Sequence, residues 1–265
     1  MKADAPYSPN SYDLASAVVA EHKVRGYEAG IARNLKFVNC LHYLQDAAEI
    51  HADRIGVGLS WLRDKGFLWV LSGYHIRLDR YPMIGDSVRV ATWPSGWHRL
   101  FALREFVFLD AEDRAYGAAT SAWLLIRADD HHPVRPREHL PDIAIRPRRV
   151  LEDPFGRLPP LDHSDHSASF RVRLHDLDVN RHVNNAVYVE WALEAVPPET
   201  WDRFRPVEVE VRFSAMAFSG DTVEADVERI PTESGPAFRH RIRRSSDGTE
   251  LARLRSRWNT LPRRA

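Results

Sequence analysis

The sequence predicts an α+β fold made twice over: two tandem domains, each a long helix wrapped by an antiparallel sheet. Three observations carry this. The chain matches itself at two nearly constant offsets, each half reads as strand, helix and then a run of four strands, and a proline-rich stretch separates the halves.

The repeat comes first because it constrains everything else. Val38-Asn39 matches Val183-Asn184 at an offset of 145, and Tyr43, Ala47 and Glu49 then meet Tyr188, Ala192 and Glu194. Further along, an offset of 135 pairs Arg77 with Arg212, Gly85-Asp86 with Gly220-Asp221, Val88 with Val223, Ser121 with Ser256 and Trp123 with Trp258. The change of offset gives the first half about ten extra residues after its helix, which Gly56 to Lys65 would fill.

In each half a short strand opens the domain, His22 to Ala32 and Ser167 to His175. A helix follows. Leu41, Leu44, Ala48 and Ile55 recur at helical spacing until Gly56 stops the run. In the second half Asn184 or Asn185 is the expected N-cap, Ala186, Val189, Leu193 and Val196 form the apolar face, and Pro197-Pro198 ends the helix. Val207 to Phe213, Thr222 to Ile230, Ala237 to Arg244 and Leu251 to Thr260 then read as strands. Turn signals at Ser219-Gly220-Asp221, Ser234-Gly235-Pro236 and Asp247-Gly248 separate them. The domains are placed at 14–130 and 166–262, joined by a linker over 131–165 that holds seven prolines.

Bulk composition narrows the classes of function. At 265 residues, 44% of them hydrophobic, the chain is long enough for two modest domains. Its 37 basic and 37 acidic side chains cancel, which gives no support to a nucleic-acid binder. A single cysteine, Cys40, cannot close an internal disulfide, Met1 to Asp13 lacks an apolar signal core, and no segment approaches the ~20 apolar residues that span a bilayer. A cytoplasmic protein off the membrane is the expectation, as a monomer or a homodimer.

Chemistry concentrates before the second helix, in Asp176-Leu177-Asp178-Val179-Asn180-Arg181-His182-Val183-Asn184-Asn185. Asp178, Asn180 and His182 alternate, so in an extended segment their side chains share one face. A carboxylate, an amide and an imidazole beside a helix N-terminus are the parts needed to move an acyl group to water: a base for the water and donors for the oxyanion. The same residues also suit a plain capping loop.

The run Asp178-x-Asn180-x-His182-Val183-Asn184-Asn185-x-x-Tyr188-x-x-Trp191-x-x-Glu194 resembles the signature of the fatty acyl–acyl carrier protein thioesterases. Tyr81-Pro82, Gly85-Asp86-Ser87-Val88, Thr92-Trp93 and Ala119-Thr120-Ser121-Ala122-Trp123 resemble the same family, and the likeness runs from about Glu21 to Leu261. The resemblance implies two tandem hot-dog domains, hydrolysis of fatty acyl thioesters carried by acyl carrier protein or coenzyme A, catalysis by Asp178, Asn180 and His182, and no metal or redox cofactor. One departure stands out. Where the family places a Glu shortly before Gly-Asp, this chain has Met216-Ala217.

The repeat adds its own argument. At an offset of 145, Asp178, Asn180 and His182 meet Arg33, Leu35 and Phe37, so the scaffold repeats and the reactive side chains do not. One site, supplied by the second domain, is expected. Asn184 and Glu194, repeated as Asn39 and Glu49, read as structural, and Cys40 reads as a small buried hydrophobe. Asp129-Asp130-His131-His132 and Asp162-His163-Ser164-Asp165-His166 read as solvated loops before metal sites. A non-catalytic acyl-binding protein, motivated by Met216, is the alternative of another class, and a hydratase ranks below it. Arg146, Arg148 and Arg149, with Arg241, Arg243 and Arg244, are candidate contacts for an acidic carrier. Trp69 and residues 40–48 are candidates for setting acyl chain length.

Overall fold

The structure is a computed structural model that describes residues 17–260. The segment Met1 to Asp13 and the expected domain ends at residues 14–16 and 261–262 lie outside them. The chain divides into two compact units at Asp153/Pro154, except that Gly73–His75 belong with the second.

In the first unit, β1 (Val18–Lys23) is followed by a 3₁₀ turn (Gly26–Glu28), α1 (Phe37–Arg54) and α2 (Leu59–Lys65). Then come β2 (Phe67–Leu78), β3 (Ser87–His98), β4 (Phe101–Leu109), β5 (Ala115–Arg127), the two-residue β6 (Pro133–Val134) and the short α3 (Pro136–His139). The sheet order is β1-β3-β4-β5-β2, with β6 on β5. Leu41, Leu44 and Ala48 of α1 are buried, as helical spacing predicts, whereas Ile55 is the half-buried C-cap, and α1 packs on β1 and β3. Gly56, at φ 73°, turns the chain after α1 in the left-handed region that favours glycine. Buried Glu105 is held by Ser95 Oγ at 2.7 Å, Thr120 Oγ1 at 2.9 Å, the Val150 N–H at 3.0 Å and the Arg149 guanidinium at 2.8 Å. Burial pushes its carboxyl up, against the pull of Arg149.

In the second unit, β7 (His166–Arg171) leads through a 3₁₀ turn (Leu174–Asp176) to α4 (Asn185–Glu194) and α5 (Pro198–Arg203). The strands β8 (Arg205–Phe213), β9 (Thr222–Ile230), β10 (Ala237–Arg244) and β11 (Glu250–Asn259) pair in the order β8-β11-β10-β9-β7. Thr222 to Ile230 and Ala237 to Arg244 are strands over the residues the pattern predicts. The helix α4 is buried almost all round, by Ala186, Val187, Tyr188, Val189, Trp191, Ala192 and Leu193, and not on one stripe alone. It packs against four strands, and each fully buried Val or Leu contributes about 1.5–3 kcal/mol. It stops at Glu194, with Ala195 as its C-cap, so Pro198 opens α5 and does not end α4.

Two expectations are corrected. The opening strands are shorter and earlier than His22 to Ala32 and Ser167 to His175, because each chain leaves the sheet for a 3₁₀ turn closed by its own acid: the Arg25 N–H donates to Glu28 Oε2 and the Arg173 N–H to Asp176 Oδ2, both at 2.7 Å. The repeat also has a different register at its start. Val18 pairs with Thr92 and His166 with Val227, so with the strands 135 apart the opening segments are 148 apart, not 145. The His22–Tyr43 ring stack then corresponds to Phe170–Trp191. Tyr43 is therefore the counterpart of Trp191, and the identities at 145 lie one turn of helix out of register. The first unit's extra length is mostly a longer helix, 18 residues in α1 against 10 in α4, while α2 has a counterpart in α5.

The stretch after Pro154 runs over the second unit's strands and is captured by arginines on four of them or beside them. Arg212 Nε on β8 donates to the Gly156 carbonyl at 3.0 Å, Arg253 Nη1 on β11 to Leu158 at 2.8 Å, and Arg239 Nη1 on β10 to Pro160 at 3.4 Å and to Asp162 at 3.0 Å. The Arg229 N–H on β9 reaches Asp165 Oδ2 at 2.8 Å. Prolines at 154, 159 and 160 have no N–H to give to a ladder, and the strap's carbonyls go to side-chain donors instead.

Candidate functional site

The segment from Leu177 to Val183 is a closed turn and not the extended strand that alternation suggested. Leu177 and Val183 form an antiparallel bridge, the Asp178 N–H donates to the His182 carbonyl at 2.8 Å, the Arg181 N–H to the Asp178 carbonyl at 3.0 Å, and Arg181 sits at φ 63°. The turn, and not a shared strand face, links the three residues, through the Asp178 side chain and the backbone of the other two. Asp178 Oδ1 accepts the backbone N–H of Asn180 at 2.8 Å and that of His182 at 3.4 Å, so the carboxylate organises the turn from within. Asn180 is exposed, His182 is half-buried, and the imidazole meets the Phe218 ring edge-on at 5.3 Å.

The first unit builds the same turn. Gly30 N–H donates to Asn34 O at 2.9 Å, Arg33 N–H to Gly30 O at 2.9 Å, Ala29 bridges Leu35, and Arg33 sits at φ 61°. Lys36 N–H reaches Glu28 O at 2.9 Å as Asn184 N–H reaches Asp176 O at 2.8 Å. Asp178, Asn180 and His182 thus stand where the first unit has Gly30, Ala32 and Asn34, a correction to Arg33, Leu35 and Phe37. Glycine and alanine bring no functional group where Asp178 and Asn180 stand, while the buried Asn34, in the place of His182, spends its amide N–H on the Leu35 carbonyl at 2.9 Å.

The turn leads into α4. Asn184 is its N-cap, with Oδ1 accepting the Ala186 N–H at 2.9 Å, while Val187 N–H goes to the Asn184 carbonyl at 2.9 Å. Its counterpart Lys36 gives α1 no side-chain cap, and Asn39 instead donates through Nδ2 to the Glu28 carbonyl at 2.8 Å. Capping is therefore a feature of Asn184, not of a repeated pair.

A second turn, residues 214–218, runs beside the first. The Val183 N–H donates to the Ala217 carbonyl at 3.2 Å, and the Ala217 N–H to Tyr188 Oη at 2.8 Å. Burial pushes the Tyr188 phenol up to about 12, so it stays neutral. Met216 lies in this turn, past the end of β8 and not on a strand. Its side chain is 39% exposed and its carbonyl accepts from Arg244 Nη2 at 2.7 Å. Sequence reasoning missed Phe218 and the hydroxyl of Tyr188 as neighbours of the turn; the Gly220-Asp221 signal just after them marked the place.

Other candidates have structural partners. Cys40 is buried, and burial pushes its thiol up, away from nucleophile chemistry. Arg241 and Arg243 are committed to Asp226, and Arg244 to Asp221 and Asp247. Arg149 is committed to Glu105, and the Arg146 guanidinium lies over the Trp93 ring at 5.1 Å. Asp130 pairs with Arg127 and His163 with Asp165, and among the described residues no group of three or more His, Cys, Asp or Glu side chains is placed to hold a metal. No helix among them is long and apolar enough to cross a membrane.

Comparison with known proteins matches both units. Residues 17–143 fit the model of the acyl-ACP thioesterase N-terminal domain and residues 161–260 that of the C-terminal domain. An acyl-[acyl-carrier-protein] hydrolase of Cuphea viscosissima is 26% identical over 251 residues, 89% of this chain and 61% of that protein. An oleoyl-acyl carrier protein thioesterase of Arabidopsis thaliana is 26% identical over 271 residues, 90% of this chain and 75% of that protein. This chain thus spans about three-fifths to three-quarters of these relatives. Among solved structures, a 12:0-ACP thioesterase from Umbellularia californica superimposes with a TM-score of 0.80 at 21% identity, covering 96% of this chain and 98% of that one. An acyl-ACP thioesterase from Bacteroides thetaiotaomicron gives 0.79 at 22%, covering 96% and 100%. The fold is the tandem hot-dog architecture, and with both domain models matched in order the chain belongs to the acyl-ACP thioesterase family.

Proposed function

We propose that the protein hydrolyses fatty acyl thioesters borne by acyl carrier protein, releasing free fatty acid, with Asp178, Asn180 and His182 as its catalytic residues. The observation that carries this reading is the pair of matching turns, with a carboxylate, an amide and an imidazole in one unit and Gly30, Ala32 and a buried Asn34 in the other. A turn needed only for folding is already built by Gly30, Ala32 and Asn34.

In this reading His182 takes a proton from water as the water oxygen bonds to the thioester carbonyl carbon. The exposed Asn180 amide donates to the oxyanion. Asp178 holds the turn through Oδ1 and so fixes where His182 and Asn180 stand. Collapse of the tetrahedral intermediate breaks the C–S bond, and the proton passes to the departing thiolate. The chain's own residues supply every proton movement, and no cofactor is called for. The division into 14–130, a linker over 131–165 and 166–262 belongs to the same proposal, as does a cytoplasmic location, which the lone buried cysteine supports.

A hydrolysis panel over acyl chain lengths, each on acyl carrier protein and on coenzyme A, tests the proposal. Turnover on carrier-protein thioesters that disappears in His182→Ala supports it. Acyl thioester binding without turnover on either carrier would replace it with the non-catalytic reading that Met216 motivates.

A further inference from the structure

We infer that Tyr188 is a positioning residue for His182, acting through the 214–218 turn. The inference rests on the role given to His182 above. Ala217 is the joint: its N–H donates to Tyr188 Oη at 2.8 Å and its carbonyl accepts the N–H of Val183 at 3.2 Å, the residue directly after His182. Its neighbour Phe218 meets the His182 ring at 5.3 Å. The turn therefore holds His182 twice, through the backbone that follows it and through its ring, and Tyr188 in the first turn of α4 anchors the turn.

The first unit shows which part of this is scaffold. There the Leu35 N–H donates to the Pro82 carbonyl at 2.9 Å, the equivalent of Val183 to Ala217. Proline has no N–H to give, and the residue that stands where Tyr188 does is Cys40, which has no hydroxyl. The first unit's turn is held by backbone bonds, the second being the Ile84 N–H to the Arg33 carbonyl at 3.1 Å beside a bridge between Asn34 and Met83. The Tyr188–Ala217 bond occurs only in the unit whose turn carries Asp178, Asn180 and His182. The first unit meets the fold's requirement with backbone bonds, whereas the second unit ties the residue beside Phe218, and so the His182 ring, to a side-chain hydroxyl.

Tyr188→Phe is the direct test. The ring contacts of Tyr188 with Trp191, at 5.4 Å, and with Phe213, at 5.8 Å, do not use the hydroxyl and are retained. On a saturating acyl thioester, kcat should fall roughly 10- to 100-fold with KM little changed, the signature of a displaced reacting group. The NMR signal of the His182 imidazole, identified by its absence in His182→Ala, should shift or broaden. Phe213→Leu loosens the packing around the same ring and leaves the hydroxyl, so it should lower thermal stability without lowering kcat. If Tyr188→Phe fails to fold, Ala217→Pro gives the turn the first unit's residue and removes the same bond, with the same expected changes. Unchanged kcat and an unchanged His182 signal would overturn the inference, as would an equal loss of kcat in Phe213→Leu. Full turnover in His182→Ala would instead overturn the catalytic role of His182, and its imidazole signal would still decide whether Tyr188 places it.

Discussion

Asp178 and Asn180 are joined inside their own turn: the carboxylate Oδ1 of the first accepts the backbone N–H of the second at 2.8 Å. The two replacements of Asp178 should therefore differ. Asp178→Asn keeps an oxygen in that place and should preserve the fold, with turnover lowered less than in Asp178→Ala because the acceptor that holds the turn remains. Asp178→Ala removes the acceptor and should cost about 1 kcal/mol. Thermal melts run beside single-turnover rates check the pair.

His182→Ala and Asn180→Ala should each lower turnover by roughly 10²- to 10⁴-fold. Asn180 is exposed and joins the turn through its backbone N–H, so its replacement should leave stability within about 0.5 kcal/mol. If the Asn180→Ala protein turned over normally, the oxyanion donor would have to be sought at the start of α4.

Met216→Glu should fold. The side chain is 39% exposed, so a carboxylate there stays hydrated and the penalty of a buried charge does not arise. A change in stability below about 0.5 kcal/mol is expected. A rise in turnover would show that the turn can use a third base, and a melt lowered by several degrees would contradict the exposed setting.

Charge reversal at Arg241 and Arg243 should read out as stability before it reads out as carrier affinity. Burial alone would push the Asp226 carboxyl up, but hydrogen bonds from both arginines hold it below its ordinary value. Discounted for the partial exposure of the arginines, the double reversal should cost about 1–3 kcal/mol. Because the folded carboxyl is the stronger acid, the stability from this cluster is present above the unfolded carboxylate range and fades as pH falls through the folded value. The reversed variant should therefore lose less than the parent on acidification, as chemical denaturation at stepped pH would show.

Two buried histidines should make the protein acid-sensitive at a higher pH. Burial lowers His240 to about 3, and burial with the nearby Arg104 and Arg54 charges lowers His51 to about 4. Both stay neutral in the fold while the unfolded chain protonates them near 6.5. Stability is thus complete above that value and falls as pH drops below it, by about 2 kcal/mol per histidine at pH 5. His240→Gln should be less stable at pH 7 and show a shallower decline between pH 6.5 and 5.

Much of this was legible in the residues. Strands bounded by Gly-Asp turns were placed to within a residue or two, because Gly85 and Gly220 need positive φ and Asp86 and Asp221 close the same turn onto the N–H three residues back. The helix cores were legible from spacing. The register of the repeat was not. Helices one turn apart look alike in sequence, so Tyr43 matched Tyr188 by letter while the fold equates it with Trp191. The shape of the Asp178–His182 segment was hidden for a related reason: alternating polar residues fit a strand face, and only the backbone bonds of Asp178 reveal a turn. The ion pairs of the carrier-patch arginines with Asp226, Asp221, Asp247 and Glu105 were not legible, because sequence shows arginines without their partners.

The strap after Pro154 also fixes where this chain can be divided. An engineer grafting the second unit onto another protein would naturally cut near residue 165, at the end of the proline-rich stretch. That cut would strand Arg212, Arg253 and Arg239 without the carbonyls of Gly156, Leu158 and Pro160 that they hold. A graft begun at Pro154 keeps these bonds, and chimaeras joined there should express better than those joined ten residues later.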